Sequence, residues 1–145
     1  MTTTNTTTLN YEASFPSKTS MTPKAMLWTG RVLTGLIAAF MLLDGGMKLV
    51  KPSFVVEGTK QVGFAESTIV PLGITLLIST IVYLIPRTSV LGAILLTGYL
   101  GGAVATHVRL GDGNQWFAVV FGVLAWLGLY FRDARLRALV PLRRD

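Results

Sequence analysis

The sequence predicts an all-α protein: a bundle of four transmembrane helices with a short interfacial helix between the first two. Of its 145 residues, 51% are hydrophobic and only 14% are charged, against about a quarter charged in an average soluble domain. Four apolar stretches reach the roughly 20 residues that are needed to cross a hydrocarbon core about 30 Å thick. Residues that favour turns separate these stretches, at Pro52, Pro86, Gly111 and Gly113.

The four spans are predicted at residues 25–50, 67–85, 88–106 and 113–131, and the last three contain no charged residue. The first span has a short apolar core preceded by lysines, as a signal peptide does. No small-residue cleavage site follows that core, so we expect it to remain as a helix. The connection at residues 52–63 begins with proline and ends with glycine, which is typical of a short helix at the membrane interface.

The two ends of the chain differ in composition from the membrane domain predicted at residues 25–131. Residues 1–24 are rich in threonine and serine, with threonine at six of the first ten positions, and are predicted to form a disordered tail. Residues 132–145 contain five arginines and are predicted to be a cytoplasmic tail that lies on anionic lipid headgroups. No aromatic residue interleaves this basic run, so nucleic acid is not an expected partner.

The distribution of lysine and arginine predicts the orientation. With four spans, nine basic residues lie on the side of the two termini and four lie on the other side, namely Lys48, Lys51, Lys60 and Arg109. Because cytoplasmic loops carry the excess of basic residues, both termini are expected in the cytoplasm of a bacterium, with the protein in the inner membrane.

Small residues form two adjacent rows on the third predicted span. Helices in lipid associate through small residues because these let the backbones approach closely. The rows predict a helix-packing face inside the bundle; a homodimer seam and a backbone platform for a flat ligand are the alternatives. The residues of this face are Ala93, Thr97, Gly98, Gly101, Gly102 and Ala105.

Ionisable side chains collect at one depth, near the extracytoplasmic ends of the spans. Asp44 is expected about 27 Å along the first span, and His107 reaches nearly the same height on the third. Lys48 follows Asp44 by one helical turn, which predicts an ion pair. Glu66 and Arg109 fall near the same boundary.

This layer has two interpretations. A carboxylate beside an imidazole can exchange protons near neutral pH, which would suit a quinone or a small anionic substrate. Alternatively, these charges only flank the spans, with Asp44 and Lys48 satisfying each other. Elsewhere, Tyr99 is expected to form a hydrogen bond between helices, and Tyr83 is expected in the aromatic belt at the cytoplasmic interface.

Composition excludes several kinds of chemistry. The chain contains no cysteine and one histidine, so it cannot build disulfides, iron–sulfur clusters, cysteine-based zinc sites or a bis-histidine haem from one copy. Neither a metal-ligand cluster nor a local Ser–His–Asp signature is present. We therefore expect no metal and no covalent cofactor, and any electron carrier must be a diffusible molecule, such as a quinone, or belong to a partner.

Three segments carry a resemblance to a known family: residues 44–49 (DGGMKL), 83–88 (YLIPRT) and 92–107 (GAILLTGYLGGAVATH). On these motifs, residues 31–143 resemble the DoxX-like family of small bacterial membrane proteins. The resemblance implies a four-helix membrane bundle and an association with membrane redox or oxidative-stress complexes. One departure is that relatives often carry an acidic residue within the second span, whereas residues 73–77 (GITLL) have none.

These observations lead to one main hypothesis and two alternatives. The main hypothesis is an accessory membrane subunit, not an independent enzyme, that works beside a redox partner and binds a quinone or a small lipid-like molecule. The first alternative is a small quinone-linked oxidoreductase in its own right. The second is a component of a transport or permeation path that is formed by a homo-oligomer.

Overall fold

The computed structural model describes residues 23–139 and the side chains of residues 24–138. Within this part of the chain all regular structure is helical. The elements are α1 (Pro23–Val50), α2 (Ser53–Gln61), a 3-10 turn (Glu66–Thr68), α3 (Ile69–Leu84), α4 (Ser89–Leu110), α5 (Gln115–Arg132) and α6 (Ala134–Leu139).

The predicted fold class is confirmed. Helices α1, α3, α4 and α5 are long and apolar enough to span a membrane, and the short helix α2 follows the first of them. Most of the predicted N-terminal tail, residues 1–22, lies outside the described residues, and so do Arg143 and Arg144 of the predicted C-terminal tail. The described part of that C-terminal tail contains α6.

The four long helices form a closed ring. Helix α1 packs against α3 and α5, and α4 packs against the same two helices, so α1 and α4 face each other across the bundle. Helix α1 begins and α5 ends at one end of the bundle, here called the terminal end. Helix α2 lies at the opposite end, here called the loop end, and none of its residues is buried.

Glycines permit the closest approaches between these helices. A Cβ atom added to Gly45 would lie 2.8 Å from the Leu77 side chain, and one added to Gly73 would lie 2.8 Å from the Cβ of Lys48. At the other end of α3, a Cβ on Gly92 would overlap the backbone of Tyr83. These contacts hold α3 tightly against α1 and α4.

The core is densest towards the terminal end, around Tyr83. This side chain is 0% exposed, its hydroxyl donates to the carbonyl oxygen of Ala125 at 2.8 Å, and it lies 3.4 Å from the Thr34 hydroxyl. The expectation that Tyr83 belongs to an interfacial belt is therefore wrong. Its depth matches that expectation, but its side chain points into the bundle and links α3 to α5.

Candidate functional site

A partly open cavity of about 700 Å³ lies among the helices towards the loop end of the bundle. Helices α1, α4 and α5 form its walls, and α2 and the segment that follows it border it at the loop end. We call it the central cavity. Its lining includes Phe40, Met41, Asp44, Lys48, Val55, Gly58, Thr59, Val62, Phe64, Leu72, Gly98, Tyr99, Leu100, Gly102, Ala103, Thr106, His107, Asn114, Phe117, Ala118 and Phe121.

The charged groups of this cavity lie towards its loop end. Towards the middle of the membrane, Phe40 and Phe121 stack with ring centroids 4.4 Å apart and planes 17° apart. Towards the loop end, Asp44, Lys48 and His107 line the cavity beside apolar side chains such as Val62 and Phe64. A cavity with one apolar end and a few convergent polar groups at the other fits an amphipathic small molecule.

The predicted ion pair between Asp44 and Lys48 is present. The Lys48 ammonium donates to the Asp44 carboxylate one turn away on α1. Both residues line the cavity because the neighbouring Gly45 packs closely against α3, which fixes the rotation of α1 about its axis. The Lys48 side chain is 17% exposed and that of Asp44 is 34% exposed, so the carboxylate is the more accessible of the two.

His107 lines the same cavity as Asp44 but is paired with a different carboxylate. Its Nδ1 atom lies 2.7 Å from Oδ2 of Asp112. Because an ionised carboxylate only accepts hydrogen bonds, Nδ1 carries the proton and donates it. The other ring nitrogen, Nε2, has no partner among residues 24–138. Such an imidazole can accept a proton or a hydrogen bond from a ligand.

The turn after α4 positions Asp112. Gly111 adopts a left-handed conformation, with φ of 68°, and this ends the helix and turns the chain back towards His107. The Asp112 carboxylate also accepts a hydrogen bond from the backbone N–H of Asn114 at 2.9 Å. That backbone donor and then the His107 ring hold the pKa of Asp112 below its ordinary value of 3.8.

A titration tests this pairing. In the wild type we expect the carboxyl NMR signal of Asp112 to titrate below pH 3.8. Because the folded pKa lies below the unfolded one, the interactions of Asp112 stabilise the protein above that pH and are lost as the pH falls through the folded pKa. In His107→Ala the pKa of Asp112 should rise but stay below 3.8, since the Asn114 donor remains. An unchanged titration would contradict the pairing.

Glu66 and Arg109, the other two predicted site residues, do not line the central cavity. Glu66 forms an ion pair with Lys60 at the end of α2, at 3.1 Å. The Arg109 guanidinium donates to the carbonyl oxygen of Val62 at 3.0 Å. Both residues thus hold the α2 segment at the loop end of the bundle. The structure therefore brings three of the five predicted residues together: Asp44, Lys48 and His107.

Tyr99 is the residue whose surroundings differ most from expectation. It forms no hydrogen bond to the part of the chain that the structure describes, so the predicted bond between helices is absent. It lines the central cavity. The Tyr99 hydroxyl is thus a further hydrogen-bonding group available to a ligand.

The small residues of α4 line two separate spaces. Ala93 is buried, but a Cβ atom added to Gly98, Gly101 or Gly102 would meet no atom within 4 Å. Gly98 and Gly102 border the central cavity, whereas Thr97 and Gly101 border a groove between α4 and α5. Ala105 is exposed. Close packing within the chain therefore does not account for these three glycines, which widen the two spaces instead.

Metal ligands do not cluster in the described region: residues 23–139 contain no group of three histidine, aspartate or glutamate side chains that could hold an ion. The site consists of an ion pair, a carboxylate-bound imidazole and a tyrosine hydroxyl around an apolar chamber. These groups can orient a polar ring and exchange protons with it.

Comparison with known proteins identifies the family. The DoxX-like family model matches residues 32–128, which include α3, α4, most of α1 and α5, and the three cavity residues Asp44, Lys48 and His107. No curated protein and no solved structure matches the chain. The family match covers most of the chain and agrees with the four apolar helices. The chain belongs to the DoxX-like family and is an integral membrane protein.

Proposed function

We propose that this protein is an accessory subunit of a membrane redox system and that its central cavity binds a quinone or a similar small amphipathic molecule. The observation that carries the proposal is the joint placement of Asp44, Lys48 and His107 on one cavity of about 700 Å³. This volume lies within the range of sites that enclose small molecules.

The chain's own groups suit a quinone ring. The Lys48 ammonium and the Tyr99 hydroxyl are hydrogen-bond donors, and His107 Nε2 can hold or release a proton. Asp112 keeps the imidazole in one tautomer. The stacked Phe40 and Phe121 offer an apolar surface deeper in the membrane, where an isoprenoid-like tail would lie.

The accessory role follows from what the cavity residues can and cannot do. They can bind a ligand and move protons, but no cysteine exists in the chain to form an iron–sulfur or thiol redox centre. Electrons must therefore come from a diffusible carrier or a partner protein. We place the protein in a bacterial inner membrane with both termini cytoplasmic, so that the cavity faces the extracytoplasmic side.

Binding of a short-chain alkyl benzoquinone to the purified protein in nanodiscs tests the site. We expect Gly98→Leu to weaken binding about tenfold or more, which corresponds to about 1.4 kcal/mol, because its side chain would enter the cavity. Gly101→Leu is the matched control, since it projects into the groove between α4 and α5. His107→Ala should also weaken binding, because it removes the Nε2 atom that faces the ligand.

Two results would overturn this proposal. One is an absence of saturable quinone binding to the wild type; the other is equal binding by the wild type and Gly98→Leu.

The carboxylate-bound imidazole also favours a second candidate, an independent quinone-linked oxidoreductase. The two candidates differ in one measurement, quinone reduction by the purified protein with a soluble electron donor. The accessory role predicts turnover only in membranes that retain a partner. The hypothesis of an independent enzyme predicts quinone turnover by the purified protein alone. Both His107→Ala and Asp44→Asn should then abolish this turnover.

A further inference from the structure

A second concave surface lies on the other side of α4 from the glycines of the central cavity. This α4–α5 groove has a volume of about 620 Å³ and ends against α6. Residues along it include Thr97, Gly101, Gly122, Trp126, Tyr130 and Leu136. Gly101 and Gly122 make it concave, because neither residue has a side chain.

Two of the three polar side chains along the groove, Thr97 and Trp126, are satisfied within the protein; the third is Tyr130. The Trp126 indole N–H donates to the Thr97 hydroxyl at 2.9 Å, and that hydroxyl donates to the carbonyl oxygen of Ala93 at 2.7 Å. The remaining lining is aliphatic or aromatic. Neighbouring side chains such as Val123, which is 53% exposed, face the hydrocarbon. The groove therefore suits an apolar chain.

The groove extends from near the terminal end of α5 past the middle of this helix. From Ala118 to Tyr130 it follows α5 for about 18 Å at 1.5 Å per residue, and half of a hydrocarbon core is about 15 Å thick. A single acyl chain that enters at the terminal end can therefore lie along the groove.

The terminal end of the groove is basic. Arg135 is exposed, and its guanidinium has no partner among residues 24–138. The Arg137 guanidinium donates through Nη1 to the carbonyl oxygens of Tyr130 at 3.2 Å and Phe131 at 2.7 Å. The nearby Asp133 carboxylate accepts the backbone N–H groups of Arg135 and Leu136. Two arginines thus lie where the chain of a bound lipid would meet its headgroup.

We propose that the α4–α5 groove is a binding site for an anionic phospholipid of the leaflet at the terminal end. One acyl chain lies along α5 over Gly101 and Gly122, and the phosphate contacts Arg135 and the unused guanidinium nitrogens of Arg137. This site adjoins the central cavity, with which it shares the lining residues Leu100 and Ala118, but it does not depend on the function proposed for that cavity.

Native mass spectrometry of the protein released from detergent tests the site. The wild type, incubated with phosphatidylglycerol or with phosphatidylcholine of the same acyl composition, should retain phosphatidylglycerol preferentially. Gly101→Leu should lose the bound lipid because its side chain fills the groove, whereas Gly98→Leu should retain it. Arg135→Gln should reduce the preference about fivefold, the factor for about 1 kcal/mol per basic residue at an anionic surface.

Three outcomes would overturn the proposal. Equal retention of the two lipids would remove the role of the arginines, and equal retention by the wild type and Gly101→Leu would place the lipid elsewhere. A dimer that Gly101→Leu dissociates would assign the groove to a second copy of the chain. Because quinone binding is sensitive to Gly98→Leu and lipid binding to Gly101→Leu, the two proposals fail independently.

Discussion

Replacing Gly92 by alanine is expected to destabilise the protein by about 3 kcal/mol, at the upper end of the usual cost of overpacking. The added methyl group would overlap the N and Cα atoms of Tyr83. A flexible side chain could move aside, but here the obstacle is the backbone of α3, so the two helices must separate. Unfolding of the purified protein in detergent by a denaturant measures the effect.

Gly98→Ala is the matched control for Gly92→Ala. It makes the same chemical change six residues further along α4, where the new Cβ meets no atom within 4 Å. It should stabilise the protein by about 0.5–1 kcal/mol, because alanine favours a helix more than glycine does. Equal stabilities of the two variants would contradict the close contact between α3 and α4.

Tyr83→Ala should cost about 3–5 kcal/mol, as for other large aromatic side chains removed from a core. Tyr83 is fully buried, and the Arg132 guanidinium lies 5.3 Å from its ring centroid. The substitution leaves a void between α3 and α5. It also removes the contact between the aromatic ring and the Arg132 guanidinium. The same denaturant measurement provides the test.

Tyr83→Phe separates the ring from the hydroxyl. It keeps the packing and the cation over the ring, but it removes the hydrogen bond to the Ala125 carbonyl, so a loss of about 1 kcal/mol is expected. If Tyr83→Phe were as destabilising as Tyr83→Ala, the hydrogen bond and not the packing would be the main contribution of this residue.

The helices could be predicted from the sequence because hydrocarbon requires long, uncharged, hydrogen-bonded segments. The largest difference in bounds is at the end of α4, which was predicted to end at residue 106 and continues to Leu110. Polar residues such as Arg109 ended the apolar run but not the helix. The helix ends one residue later, where Gly111 adopts its left-handed conformation.

The rotation of each helix about its axis could not be predicted in the same way. Depth along a span follows from counting residues, so Asp44 and His107 were correctly placed near one end. The direction of a side chain depends on which neighbour the helix packs against. Tyr83 was therefore expected at the interface but is buried, and Gly98 and Gly101 were expected in one packed face but border two different spaces.

The partner of His107 was missed for a related reason. Asp44 is distant along the chain, and only its similar depth suggested a pair. Asp112 follows His107 by five residues, beyond the end of the helix, so helical spacing did not indicate a contact. The signal that was available is the glycine at position 111, because a left-handed residue after a helix turns the chain back over its last turn.

Gly98 borders only the central cavity and Gly101 borders only the α4–α5 groove, so each of the two spaces can be labelled on its own. The chain contains no cysteine, so a cysteine introduced at Gly98 or at Gly101 would be its sole thiol. A spectroscopic probe attached at position 98 would report on the central cavity, and one attached at position 101 would report on the α4–α5 groove. Occupancy of the two could then be followed separately in the same membrane.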